Sequence, residues 1–582
     1  MATTGILRSR RSVAQLHAVA GVEREIRAND NSFTRKYVRD FRNAYRSYQR
    51  VLSAEDVRDK IASAGIALIG DYHALPTSQR YLASLLREPA LHDRPLVLGV
   101  ETIFARDQHI VDEWLRGEID EGELRQRIRF DLDWGYDWAP FFDVLSAARE
   151  QGAWIYGLDC MPREDLRKIG ARDRHAADKI AEIRNGHPDA LILVLFGESH
   201  LAPEHLPARI AERFGEDTPG AASQRRVLTV LQNVDALYWR AAGEASDCVE
   251  AVEVNPDVLC VFNATPLEKY ENYRLCLDRW GRGDDSGPDL GPTLYNLVGS
   301  LVRFLGINQY SPHNSTQPRL LVDLMPEVYS RRSDALLRRL VSRKEFSATD
   351  KRYVVRRVRE RGSIYLPRLN VVYVREFRMT SAAEDATRFL HQACRGLPYR
   401  SLGNGNGSNG AGRKRNGQAR EDAFYAAVFE HALAFFGSRI LHPARAGFRE
   451  DDLAELYELT HEDLEQHTGL PFADAVEVLE VLDRLREFDR RGRSRQIQSN
   501  PKAKGRSGAV DCVSDALRFE GRKLEYLGEL LGYLAGNNLY DAYVEGRFTP
   551  AALRKLFLTH IDEPGAARFE YQRLVGSVTG RA

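Results

Sequence analysis

The stretch Ile66-Ala67-Leu68-Ile69-Gly70-Asp71-Tyr72-His73 decides how this chain is read. Its short aliphatic run, bounded by glycine, reads as a strand buried on both faces. Gly70 lets the backbone turn, and a carboxylate and an imidazole follow two residues apart. The pattern recurs where Leu191-Ile192-Leu193-Val194-Leu195-Phe196 runs into Gly197-Glu198-Ser199-His200. Titratable groups at the end of a buried strand stand where open α/β sheets build their sites. Two such phrases imply two halves presenting matched chemistry to one cleft.

Working outward, residues 57–280 alternate strand-like runs with amphipathic stretches. The predicted strands are Ile66–Gly70, Leu96–Val100, Trp154–Leu158, Leu191–Phe196, Val227–Leu231 and Val258–Phe262. Helical patterns cover Ser78–Leu86, Asp107–Leu115, Pro140–Glu150 and Ala171–Ile183. This alternation predicts an α/β fold, a mostly parallel sheet with helices on both faces. Crossovers between parallel strands are right-handed, so the strand ends line one edge. That edge collects Asp71, His73, Glu101, Asp159, Glu198 and His200.

The flanks differ. Residues 1–56 read as a helical segment, with Phe33, Tyr37, Phe41, Tyr45 and Tyr48 as an aromatic stripe docking on the next domain. Residues 281–400 read as a basic mixed helical and β-ribbon region. Arg331 to Glu376 holds fourteen Lys or Arg against five Asp or Glu. Such an excess is a solvated face, docks an acidic neighbour, or forms a nucleic-acid-binding surface over 331–376. Residues 401–419, rich in Gly, Asn and Ser, read as a flexible linker. Residues 420–582 read as a helical domain able to recruit a protein partner, with a helix cap at Thr460–Asp463.

With 582 residues the chain needs more than one core, and its 83 basic and 83 acidic residues give no global pull toward polyanions. Six scattered cysteines make no C-x-x-C pair, which argues against a zinc ribbon or disulfide framework. No apolar run approaches the roughly 20 residues of a membrane span. Ser12–Val22 is a poor signal region, and no cysteine precedes Cys160 to carry a lipid anchor. A soluble, cytoplasmic protein is expected.

Two imidazoles and several carboxylates on one edge suit a divalent metal held by His73, Glu101 and His200. They equally suit acid/base chemistry, with Glu198 or Asp71 as general base. Arg172, opening the helical stretch before the second motif, can clamp a carboxylate or phosphate. Ser199 lacks the flanking glycine of a nucleophile elbow. Trp134, Tyr136, Trp138, Phe141 and Phe142 form a dense aromatic cluster, read as core or as the wall of a flat pocket.

These motifs, in order, resemble the ChaN-like family of the haem-binding uptake Tiki superfamily, which also includes TraB and erythromycin-esterase relatives. The residues carrying the resemblance are Gly70–His73, Glu101, Arg106-Asp107-Gln108, Trp134 to Trp138, Gly157-Leu158-Asp159, Arg172 and Gly197–His200. It covers roughly residues 57–280. It implies haem or iron binding in a cleft between the paired motifs. Related branches instead imply a hydrolase, esterase or peptidase, metal-dependent or not, using His73, Glu101, Arg172 and His200, with Glu198 beside them as the general base read from the motif itself. Haem ligation in the ChaN branch involves tyrosine, which makes Tyr72 and Tyr136 the ligand candidates, with Asp71, Trp138 and Asp159 beside them. A third reading is an interaction protein with a vestigial cleft. Whether the chain is an enzyme stays open at this point.

Overall fold

All six expected strands form, and their order explains why the two motifs meet. The computed structural model describes residues 10–160, 169–214, 226–244, 249–282, 288–308, 321–330, 334–342, 346–395, 412–496 and 513–579. The chain divides into two compact units. One is built mainly from Val19–Pro288, the other mainly from Asp289–Ala582.

The first unit holds an eight-stranded sheet: β1 (Arg50–Leu52), β2 (Ile66–Asp71), β3 (Leu96–Phe104), β4 (Trp154–Asp159), β5 (Leu191–Gly197), β6 (Val227–Gln232), β7 (Ala251–Asn255) and β8 (Val258–Val261). Their spatial order is β1-β7-β8-β6-β2-β5-β3-β4. The six expected strands run parallel. Two short strands not foreseen, β1 and β7, add antiparallel pairs at one edge. The segment expected to be purely helical, 1–56, therefore also supplies a sheet strand. A run of only three residues carries too little period-2 signal to be recognised.

Alternation along the strands fills both faces. Ile66 and Leu68 of β2 join Val97, Ile192 and Val194 in one apolar layer. Ala67 and Ile69 join Leu98, Leu193 and Leu195 in the other. Helices Pro76–Leu86, Trp138–Glu150 and Ile169–Gly186 cover the expected stretches. Of the aromatic stripe, Phe41 and Tyr45 enter the layer of Ile66, and the Tyr45 hydroxyl donates to the Leu201 carbonyl at 2.6 Å. Gly157 of β4 lies where β3 is irregular, and a Cβ there would stand 2.8 Å from the Ile103 and Phe104 carbonyls. Only glycine fits that approach.

The second unit pairs a three-stranded sheet, β9 (Glu327–Ser330), β10 (Ser363–Leu366) and β11 (Val371–Val374), with long helices. β10 and β11 form the expected antiparallel ribbon, and β9 adds a parallel strand to it. Helix Ala348–Arg361 starts on a capping box at Ser347 and stops at Gly362, whose φ of 83° favours glycine. The Thr460 side chain caps its helix as read from sequence. Residues 401–411 of the expected linker lie outside the described residues, and helix Gly412–Leu441 begins within its last part. Among the described residues no helix is long and apolar enough to cross a membrane.

Candidate functional site: a buried carboxylate between two imidazoles

β2 and β5 pair in parallel with Asp71 opposite Gly197, so the two motifs leave the sheet side by side. β3 flanks β5 on its other side, with Val100 opposite Leu195, which brings Glu101 to the same edge. The convergence follows from strand order alone.

Glu101 sits at the centre, 2% exposed. Its Oε1 accepts a hydrogen bond from Arg172 Nη2 at 2.6 Å, and its Oε2 accepts the Gly197 N–H at 2.5 Å. His73 Nε2 stands 3.6 Å from Oε2, and His200 Nε2 stands 3.7 Å from Oε1. Each imidazole is held from behind. Asp71 Oδ2 lies 2.7 Å from His73 Nδ1, and Asp173 Oδ1 lies 2.5 Å from His200 Nδ1. A carboxylate on one ring nitrogen fixes the tautomer and makes the other nitrogen a better base or ligand. Two Asp–His dyads therefore face one glutamate.

Electrostatics hold that glutamate ionised. Burial alone raises a carboxyl pKa, but the His200, Arg172 and His73 charges and the Gly197 N–H overcome it and lower Glu101 below the ordinary range. Arg172 also spans to Asp159, with Nε to Oδ1 at 3.0 Å and Nη2 to Oδ2 at 2.7 Å. Burial raises the Asp159 carboxyl despite this partner. Gly197 leaves room for this arrangement: a Cβ would lie 2.9 Å from Glu101 Oε2 and 3.3 Å from His73 Nε2, so one of them would have to shift.

The remaining candidates divide. Glu198 does not touch Glu101; Lys269 Nζ holds both its oxygens, at 3.0 and 2.9 Å. Burial raises the Glu198 carboxyl, with Lys269 opposing. The same ammonium lies 4.5 Å from the centre of the Tyr72 ring. Burial, with Tyr270, Glu198, Tyr273 and Asp235 adding to it, pushes the Tyr72 phenol well above its usual range. Tyr136 lies beside the site, its ring 5.3 Å from His73, as does Trp134 at 5.3 Å. Trp138 is not at the site. Its indole packs on Phe130 and Phe142 and donates to Glu121 at 2.8 Å, so the ligand-wall expectation for Trp138 is corrected to core.

Sequence reading missed Asp173, Gln79 and Lys269. Asp173 follows Arg172 in the chain, which was its one available signal. Gln79, which donates to Asp71 Oδ1, and Lys269 arrive on helices with no motif. His73, Glu101 and His200 are brought together as expected of a metal triad, yet the Glu101 oxygens are engaged by Arg172 and Gly197. Among the described residues no group of three or more His, Cys, Asp or Glu is arranged to hold a metal ion.

A profile of the family described as "Haem-binding uptake, Tiki superfamily, ChaN" matches residues 57–187. The resemblance drawn from the motifs is borne out over that span, which includes Asp71, His73, Glu101, Asp159, Arg172 and Asp173. Glu198 and His200 lie beyond it. Among solved structures, "Cofacial heme binding to ChaN of Campylobacter jejuni" aligns at 14% identity, covering 36% of this chain and 92% of that one, with a TM-score of 0.26. None of the curated proteins matches the chain.

Proposed function

We propose that the first unit binds haem at the carboxyl-terminal rim of its sheet, with His73 as the side chain offered to iron. The match of residues 57–187 to the haem-binding uptake family carries this reading. The rim residues fit such a group. His73 and Tyr72 are both partly exposed and carry donor atoms of the kind that bind iron. A chain of rings runs from Tyr72 to Tyr273 at 6.0 Å, Tyr273 to Trp280 at 6.4 Å and Trp280 to Tyr136 at 5.4 Å, giving faces on which a flat macrocycle can rest. Trp280 is 42% exposed.

Bound haem would supply an iron centre able to exchange one electron. The chain's own part is to orient and to exclude water. Asp71 fixes His73 and raises the donor strength of its Nε2, whereas the neutral phenol of Tyr72 is the weaker candidate. The Glu101–Arg172 pair stiffens the floor beneath. Hemin titrated into the full chain is expected to give a shifted Soret band at near-stoichiometric loading, reduced at least tenfold in His73→Ala and unchanged in Trp138→Phe. Retention no better than that of albumin ends the proposal. Equal retention by His73→Ala ends the role of His73.

The two dyads facing Glu101 favour a second reading, acid/base hydrolysis of an ester or amide, with or without a divalent metal. One imidazole would take a proton from water while the other donates to the leaving group, Glu101 stabilising their charged forms. A broad esterase and peptidase screen should then find an activity that falls by about 100-fold or more in His200→Ala. Elemental analysis of the purified chain separates iron from zinc or manganese.

A further inference from the structure

The two Asp–His dyads at the site are not equivalent. Behind His73 the path closes: Asp71 spends Oδ2 on His73 Nδ1 and Oδ1 on the side-chain amide of Gln79, which does not titrate. Behind His200 the path continues. Asp173 Oδ1 lies 2.5 Å from His200 Nδ1, and its Oδ2 lies 3.4 Å from Nδ1 of a further imidazole, His205. His205 Nε2 in turn stands 3.5 Å from Asp40 Oδ2. The series runs outward: the side chains of Asp173, His205 and Asp40 are 1%, 16% and 26% exposed.

Three elements of the first unit assemble it. Asp173 comes from helix Ile169–Gly186, His205 from the turn before helix Leu206–Phe214, and Asp40 from helix Lys36–Ala44. One carboxylate oxygen is enough to orient the His200 ring, so the second imidazole adds nothing to that task. His205 Nε2 makes no hydrogen bond among the described residues, so it does not brace the helix of Asp40 either. An imidazole can accept a proton on one nitrogen while releasing one from the other, which suits it to carry protons between two carboxylates.

We propose that Asp173, His205 and Asp40 form a proton path between His200 and the surface. From the imidazolium form, His200 Nδ1 passes its proton to Asp173 Oδ1. A half-turn of the carboxyl presents that proton to His205 Nδ1. His205 releases its Nε2 proton to Asp40, which gives it to water. One proton has left, His200 is neutral and both carboxylates are restored; the reverse passage resets the His205 tautomer. Small side-chain swings bring the two longer gaps to hydrogen-bond length. The path requires neither hemin nor substrate, so its test is separate from those of the haem and hydrolase readings.

The test is the solvent exchange of ring Nδ1 protons, followed by NMR in the full chain with isotopically labelled histidine nitrogen. Exposure alone ranks His73, at 14%, ahead of His200, at 5%. The path reverses that order: the His200 Nδ1 proton is expected to exchange at least tenfold faster than that of His73. Asp40→Asn, on a surface helix, and His205→Phe, which keeps a ring in place, should each slow the His200 exchange tenfold or more and leave His73 unchanged. Added imidazole should restore the rate in His205→Gly, which a packing role alone would not produce. Exchange at His200 no faster than at His73, a rate unchanged in Asp40→Asn and His205→Phe, or a slowed rate that imidazole does not restore overturns the proposal.

Discussion

Glu101 and Arg172, separated by 71 positions in the chain, meet at 2.6 Å with side chains only 2% and 6% exposed. Such a pair adds little over an apolar substitute, but removing one partner strands the other charge. Arg172→Leu is therefore expected to destabilise the first unit by about 3–5 kcal/mol, and Glu101→Gln in the same chain should recover part of that loss. Denaturant unfolding of the single and double variants measures both.

The same pair sets an acid limb. The pKa of Glu101 in the fold lies below its unfolded value of 4.5, so its contribution to stability is complete above pH 4.5 and is lost as pH falls toward the folded value. Glu101→Gln should flatten the pH dependence of unfolding over that window.

Gly197→Ala tests the crowding at the centre. The added methyl would push on Glu101 and His73. A cost of about 1–3 kcal/mol is expected, together with loss of hemin retention. Full retention at unchanged stability would mean that the centre yields more easily than its geometry indicates.

Lys269→Met leaves the partly buried Glu198 carboxylate without its cation. It should destabilise strongly, and Glu198→Gln should rescue it, giving a coupling energy of roughly 0.5–3 kcal/mol in a double-mutant cycle. Additive effects would show that the two side chains do not act as a pair.

The second unit should be sensitive to mild acid. Burial lowers the pKa of His391 to about 3, His431 to about 3 and His442 to about 4, against 6.5 when unfolded. Their folded forms bind fewer protons, so stability falls as pH drops below 6.5, by about 1.4 kcal/mol per pH unit for each imidazole. Asp385, raised to about 6 by burial, works the other way between pH 6 and its unfolded 3.8. His391 has neither ring nitrogen hydrogen-bonded among the described residues. His391→Phe should accordingly lessen the acid sensitivity, read as the unfolding midpoint between pH 7 and 4.5.

The amino-acid sequence alone determined the parallel core and its chemistry-bearing edge. Short aliphatic runs that close on a titratable group read as buried strands with polar ends, so Asp71, His73, Glu101 and His200 were legible as one set. What only the tertiary structure decided is which side chains answer one another. Asp173 behind His200, Lys269 on Glu198, Trp138 in the core and the arginines around Glu384 all depend on the directions in which helices deliver their side chains. Local patterning fixes a strand's faces, because its period is short. It carries no information about the partner that a helix delivers from elsewhere in the chain.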